Sequence, residues 1–264
     1  MVVLVYMLGG MSSRFGGSPK SLCKVGPNDE TLLEISLNQA LIQPFSKLVF
    51  ITNPLTEHLF QTHLLNEYQN RPIQYIQQTY DVNTRSRPWG TTDAVCTLQG
   101  HLDEPFILVN GDDIYGEKAF ETGYRMLSTM TDNVMGTVPI YKTIHNNSVV
   151  NRGVVYVNKN NKQITRLKEE LNISKPTHPE LMHELGSVNF IGLQPNILSN
   201  LCLLLKQFKE THKGEAKIEA LLPNDLNTII QSQEAVFHTF VIEDEIKSLT
   251  YQADIETMKA YLKN

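Results

Sequence analysis

The chain has 264 residues, of which 41% are hydrophobic and 19% charged, enough for one large α/β domain or two small ones with a sizeable core. Its formal net charge of −5 excludes a general nucleic-acid surface, so partner anions have to be met by local positive charge. Cys23, Cys96 and Cys202 have no paired spacing, which excludes a disulfide frame or a zinc site and reads as reduced core thiols. The apolar start at residues 2–8 lacks the basic flank of a signal peptide, and no stretch approaches the ~20 apolar residues of a membrane span. These features together predict a cytoplasmic protein with no membrane partner.

Residues 2–8, apolar and mostly β-branched or aromatic, predict a buried first strand that runs into Gly9 and Gly10. Polar capping residues 28–31 precede Leu32, Leu33, Ile35, Leu37, Ala40 and Leu41, a helical spacing that stops near Pro44. A second buried strand covers residues 47–52, a helix 55–66 and a third strand 73–78. The polar segment 79–89 has no periodicity and reads as a loop, with residues 90–93 capping a short helix over 94–98. A fourth strand, 106–109, ends in Asn110-Gly111-Asp112-Asp113. Strands alternating with helices predict a doubly wound, mostly parallel sheet.

After about residue 132 the pattern changes. Residues 134–141, 153–157 and 163–167 are strand-like and read as sheet extension or hairpins, not as further βαβ units, and 190–193 reads as another strand. A long helix follows over 196–213, another lies within 215–231, then a strand over 235–242 and a closing amphipathic helix over 255–262. With no linker, repeat or low-complexity tract, residues 1–264 are expected to form a single domain of two halves, 1–132 and 133–264.

In open α/β sheets ligands sit outside the carboxyl ends of the strands, and three feature-rich segments fall there. The first is the loop after strand one: its glycines let backbone N–H groups approach an anion, and Arg14 and Lys20 bracket them with positive charge. It matches neither a Walker pattern nor G-x-G-x-x-G. The planar fork of Arg14 suits outer phosphates, the compact charge of Lys20 suits a phosphorus under attack, and Lys24 reads as a solvated surface lysine. The second segment is Asp112-Asp113, where a carboxylate at a strand end suits Mg²⁺, an oxygen-seeking ion that keeps several waters. Asp112 is the expected ligand, with Asp113 supporting it or capping the helix that starts near Tyr115. The third is Gln77-Gln78, whose amides offer a donor and an acceptor to a base edge, with residues 88–92 able to close over base or ribose or to form an ordinary loop. His178 and His183 are spaced His-x4-His around a proline, unlike the His-Glu-x-x-His of a metal helix, and no Gly-x-Ser-x-Gly elbow occurs.

The segments LGGMSSRFGGSPKSL (8–22), VGPNDETLLEIS (25–36), RPWGTTDAV (87–95), VNGDDIYG (109–116), NRGVVYVN (151–158) and GSVNFIGL (186–193) resemble, in this order, the sugar-phosphate nucleotidyltransferases. ALLPNDLN (220–227) and SLTYQAD (248–254) are later echoes. The resemblance implies a three-layer α/β/α sandwich with a mostly parallel mixed sheet, of the GT-A-like kind. It also implies Mg²⁺-dependent transfer, in which a sugar 1-phosphate oxygen attacks the α-phosphate of an NTP, UTP or dTTP by expectation. By carry-over, Gly9, Gly10, Met11, Ser13 and Gly111 line the nucleotide, Arg14 holds the departing pyrophosphate, and Lys20 stabilises the α-phosphate. Gln78 reads the base, Pro88, Gly90 and Thr91 shape its pocket, Asp112 binds Mg²⁺, and Arg152, Gly153, Glu169 and Asn189 face the sugar.

Two departures stand out from the resemblance. Lys24 replaces a proline found in many members, and Ser248-Leu249-Thr250-Tyr251 carries no carboxylate where many have a second metal ligand, the next being Asp254. The acyltransferase or left-handed β-helix domain of some relatives is not expected. Phosphocholine or a polyol phosphate as acceptor, or a regulator that binds nucleotide without turnover, are the alternatives.

Overall fold

In the structure, a computed structural model, residues 1–10, 18–144, 149–249 and 252–263 are described. The first strand, β1 (Val3–Met7), is buried on both faces, as its unbroken apolar run requires. After a 3₁₀ turn at Lys20–Leu22 comes α1 (Leu32–Ala40), which starts at a reciprocal capping box. The Thr31 hydroxyl accepts from Glu34 N at 3.2 Å, and the Glu34 carboxylate accepts from Thr31 N at 2.8 Å. Then follow β2 (Leu48–Thr52), α2 (Glu57–Leu64), a two-residue strand β3 (Glu67–Tyr68), β4 (Arg71–Gln77) and α3 (Thr91–Cys96). Next come β5 (Phe106–Asn110), the short β6 (Asp113–Ile114), α4 (Glu117–Thr129) and β7 (Asn133–Pro139). A long ribbon, β8 (Val150–Val157) with β9 (Ile164–Ile173), precedes β10 (Leu185–Leu193), α5 (Ile197–Thr211), α6 (Leu222–Gln231), β11 (Phe237–Val241), β12 (Lys247–Ser248) and α7 (Asp254–Leu262).

The main sheet has the order β11-β7-β10-β5-β1-β2-β4-β3. Strands β4, β2, β1 and β5 run parallel, and β10 lies antiparallel between β5 and β7. Alternate side chains of the central strands face opposite helix layers. Val3, Val5, Phe106 and Leu108 share a buried cluster with Ala94, Val95, Leu201, Leu226 and Ile229 of α3, α5 and α6. Leu4, Tyr6, Ile107 and Val109 share another with Leu33, Leu37, Phe60, Ala119 and Phe120 of α1, α2 and α4. The result is the three-layer α/β/α sandwich with a mixed, mostly parallel sheet.

β11 runs parallel to β7 after the α5–α6 crossover. Three readings of the second half and of the helix starts change. The β9 strand extends to Ile173, well past the apolar residues that mark its start, because it is paired with β8 along its length. α3 begins at Thr91, so Thr92 and Asp93 lie inside the helix and none of residues 90–93 caps it through a side chain. Asp113 is not the cap of α4 either: Gly116 stands at that position, and the Asp244 carboxylate accepts from Ala119 N at 3.1 Å.

Candidate active site

The carboxyl ends of β1, β4 and β5 converge, because Met7 is in register with both Ile51 and Asn110 across parallel pairs, with Ile51 in turn beside Ile76. Backbone beyond β1 is held by its neighbours: Leu8 N donates to Ile51 O, Gly111 N to Met7 O, and Asn53 Nδ2 to Gly9 O. A Cβ on Gly9 would stand 3.3 Å from Thr52 O and 3.4 Å from Gln78 Oε1, so the absence of a side chain lets the loop pass against both. Gly10 is exposed, with open space around the same position, and offers unencumbered backbone. Gly111 differs in kind. A Cβ there would fall 2.0 Å from Leu8 Cδ2, so it is a packing glycine at the junction of the β1 and β5 ends. Met11, Ser13 and Arg14 lie outside the described residues.

At the centre, Lys20 Nζ donates to Asp112 Oδ2 at 2.7 Å and to Leu249 O at 3.1 Å. Leu249 N in turn donates to Asp112 O at 3.1 Å. The two aspartates separate by burial. The Asp112 side chain is 35% exposed, whereas Asp113 is 8% exposed. Asp113 accepts from Asn110 Nδ2 at 2.8 Å, from the Tyr115 hydroxyl at 3.1 Å and from Ser248 Oγ. Burial, then the adjacent Asp112 charge, push its carboxyl up to about 6 against these hydrogen bonds. Asp113 therefore holds β6 to β12, and Asp112 is the carboxylate offered outward. Among the described residues no group of three or more His, Cys, Asp or Glu side chains is poised for a metal ion. A single exposed carboxylate still fits Mg²⁺, which is commonly held by one or two carboxylates plus water and substrate phosphate.

At the end of β4, Gln78 is buried, and its Nε2 donates to Gly90 O at 2.9 Å and to Asp93 Oδ2 at 2.8 Å. Gln77 points elsewhere, to Glu57. Gly90 has φ +104°, and a Cβ there would lie 2.4 Å from Ala220 O, so both backbone conformation and space demand glycine. The Thr91 hydroxyl accepts from Leu222 N at 2.8 Å, at the start of α6. Pro88 is buried and its carbonyl accepts from Arg85. Gly90 and Thr91 thus tie the pocket loop to residues 220–222.

On the far side, Gly153 and Glu169 face each other across β8 and β9, with Glu169 Oε2 3.6 Å from where a Gly153 Cβ would stand. Arg152 is half-buried beside Asp113 and Glu169, and its buried Nε has no hydrogen-bond partner. Burial lowers the Arg152 pKa against the pull of both carboxylates, and raises that of Glu169 against the pull of Arg152. Asn189 has φ +57° at the bulge between Ser187 and Phe190. Its carbonyl and that of Val188 lie 3.3 and 3.1 Å from the Tyr115 hydroxyl, which joins this side of the site to Asp113.

Sequence reasoning missed Asn110, Tyr115, Ser248, Asp93 and Arg85. Four of these stand inside or beside the quoted segments, but their function is to orient other residues, which spacing does not reveal. Arg85 is buried, donates to the carbonyls of Arg87, Pro88, Glu215 and Ile218, and lies 3.5 Å over the Trp89 ring. Lys24 is exposed and pairs with Asp29 at 3.7 Å, as a surface lysine. Cys23, Cys96 and Cys202 are free thiols, all only partly buried, and the first two pack at the margins of apolar clusters, so they are not fully core residues. Among the described residues no helix is long and apolar enough to cross a membrane.

The family model described as nucleotidyl transferase matches residues 8–263. A comparison with the curated proteins finds no match. Among solved structures, a putative glucose-1-phosphate thymidylyltransferase from Bacillus anthracis is similar with TM-score 0.71 and 12% identity, covering 100% of this chain and 96% of that one. A UDP-glucose pyrophosphorylase complexed with UDP-glucose has TM-score 0.68 and 14% identity, covering 100% and 99%. The inositol-1-phosphate CTP transferase from T. maritima has TM-score 0.68 and 12% identity, covering 99% and 96%. Identities this low carry the fold, and it is the fold of these transferases.

Proposed function

The chain belongs to the nucleotidyl transferase family, and from that premise we propose that it joins UTP or dTTP to a sugar 1-phosphate, giving an NDP-sugar and pyrophosphate. The observation that carries this reading is the Lys20–Asp112 pair beside Gly9 and Gly10, at the carboxyl ends of two adjacent parallel strands. A phosphate oxygen of the acceptor attacks the α-phosphorus, the bond from that phosphorus to the α–β bridging oxygen breaks, and pyrophosphate leaves with the electron pair. No protein nucleophile is needed, so the residues contribute position and charge.

In this reading the Lys20 ammonium moves from Asp112 toward the α-phosphate, where charge builds up. Arg14 takes the pyrophosphate. Asp112 would hold Mg²⁺, which supplies neutralisation of phosphate charge when bound. Gly9, Gly10, Met11 and Ser13 approach the nucleotide with backbone, while Gln78 reads the base inside the loop of Pro88, Gly90 and Thr91; Gly111 keeps the strand ends close. Arg152, Gly153, Glu169 and Asn189 take the acceptor, with the unpartnered Arg152 Nε and the part-buried Glu169 carboxyl as its polar contacts. The sugar-nucleotide titles of two structural neighbours support a sugar acceptor; the inositol-1-phosphate title of a third makes a polyol phosphate the reading to test beside it.

Pyrophosphate release with Mg²⁺, the individual NTPs and a panel of sugar 1-phosphates, inositol 1-phosphate and phosphocholine tests the proposal. Release is expected with a uridine or thymidine triphosphate and a sugar 1-phosphate. Release confined to a polyol phosphate or phosphocholine would replace the acceptor, and nucleotide binding without release under any pairing would make the chain a regulator. Asp112→Asn should raise the Mg²⁺ requirement steeply, and an unchanged Mg²⁺ dependence would remove Asp112 from that role. Arg14→Ala should abolish release, and a wild-type rate would contradict its assignment.

A further inference from the structure

Gln78 is buried beside the loop of Pro88, Gly90 and Thr91, and both atoms its Nε2 touches are acceptors. Gly90 O lies at 2.9 Å and Asp93 Oδ2 at 2.8 Å. A backbone carbonyl and a carboxylate have lone pairs and no hydrogens, so the amide end facing them has to be the NH₂ group. The carbonyl oxygen is then turned to the opposite side, toward Gly9, where it stands 3.4 Å from the site of a Cβ. Asp93 is itself fixed. It lies inside the first turns of α3 and is 6% exposed, and its other oxygen, Oδ1, accepts from Lys209 Nζ on α5. Lys209 lies 5.8 Å from the Trp89 ring centroid, so the relay Lys209–Asp93–Gln78 runs behind the pocket loop.

We infer that Asp93, anchored by Lys209, is a positioning residue that makes Gln78 meet the nucleotide base as a hydrogen-bond acceptor only. This rests on the reading that Gln78 faces the base. Its consequence concerns which base is taken. Uracil and thymine carry an N–H at ring position 3, which an inward carbonyl oxygen satisfies. Cytosine has a lone pair there, and two acceptors facing each other leave both without a partner. A freely turning glutamine would suit either, since flipping exchanges its NH₂ for its oxygen. With both NH₂ contacts engaged by Gly90 and Asp93, the flip would set the amide oxygen against two acceptors. The preference for an imide base is therefore held by a residue that does not touch the nucleotide.

The test is equilibrium binding of UTP, dTTP and CTP to the full chain with Mg²⁺ and no acceptor, for the wild type, Asp93→Ala, Asp93→Asn and Lys209→Met. Loss of one well-placed hydrogen bond to a buried group changes an equilibrium by about tenfold or more. Wild type should prefer UTP and dTTP to CTP, Asp93→Ala should shrink the UTP-to-CTP ratio by about tenfold, and Asp93→Asn, whose one amide oxygen is shared between Lys209 and Gln78 where the carboxylate gives each its own, should keep only part of it. Lys209→Met should move the ratio the same way to a smaller extent, and it serves if Asp93→Ala does not fold. A purely structural Asp93 would lower thermal stability and leave the ratio where it was; that result overturns the inference, as does a wild type without base preference. Either leaves nucleotidyl transfer standing, whereas failure to bind any NTP overturns the functional reading as well.

Discussion

Asp112 and Asp113 are the same residue type one bond apart in the chain, and the fold gives them opposite tasks. Asp113 closes a buried junction in which the Asn110 amide, the Tyr115 hydroxyl and the Ser248 hydroxyl all converge on one carboxylate. Replacing it by alanine leaves the part-buried Asn110 amide without that acceptor, at ~1–3 kcal/mol for an unsatisfied group, whereas the Tyr115 hydroxyl keeps the Val188 carbonyl and Ser248 is exposed. Asp113→Ala should therefore lower unfolding stability by about 1–3 kcal/mol, read from urea midpoints. Asp112→Ala, at a partly exposed position, should cost less than about 1 kcal/mol of stability, because it breaks only a partly solvated ion pair with Lys20. A comparable loss in the two variants would contradict this division. Position in Gly-Asp-Asp points to Asp112 as the ligand, but the burial that sets Asp113 apart is a property of what returns to it from residues far along the chain, Ser248 among them. Gly9 and Gly10 were legible as a loop that approaches an anion, but Gly111 looked the same and turns out to be fixed by Leu8.

At the level of elements, the parallel core was readable because buried strands announce themselves as unbroken apolar runs, as in β1, β2 and β5. The two-residue β3 and the full extent of β9 were not, since a short or half-exposed strand is defined by its partner and not by its own pattern. The helix that shapes the pocket shows the same limit. α3 is held at its start by contacts from α6: Leu222 N donates to Thr91 Oγ1, and Thr92 Oγ1 donates to the Asp225 carboxylate. Burial raises the Asp225 pKa above the ordinary carboxylate value, with the Thr92 hydrogen bond opposing the shift. An acid with a raised folded pKa holds its proton more tightly in the folded state than in the unfolded one. Stability from this group is thus fully present below the unfolded value of about 3.9 and falls as pH rises from there through the folded value. Asp225→Asn has no such dependence. Its urea midpoint should rise relative to that of the wild type across that interval and then level off. A constant difference from acid to neutral pH would show that Asp225 does not titrate in this way.

Over the whole molecule, the site is assembled from the beginning, the middle and the end of the chain. The segment after β11 comes back as β12 alongside β6, Leu249 bonds Asp112 through its amide and Lys20 through its carbonyl, and α7 then packs down. Val25, Leu32, Ile114, Leu249 and Met258 form one buried cluster, so the late segment is fastened to α1 and β6 by apolar contact. The missing second carboxylate in residues 248–251 therefore does not leave this segment without a place in the site: its backbone orients both partners of the Lys20–Asp112 pair. The region proposed to take the base is built separately, from Gln78, Asp93, Gly90 and the 220–222 backbone. That separation makes a kinetic prediction. Met258→Ala removes a core side chain that is 4% exposed, which should cost ~2–5 kcal/mol and loosen the return of Leu249 to the site. Because Lys20 and Asp112 are the groups proposed to act at the reacting phosphate, kcat should fall while the KM for the NTP stays near its wild-type value. Initial rates at saturating acceptor, below the unfolding transition, provide the measurement. A raised KM with unchanged kcat would mean that the late segment serves nucleotide binding and not the transfer step.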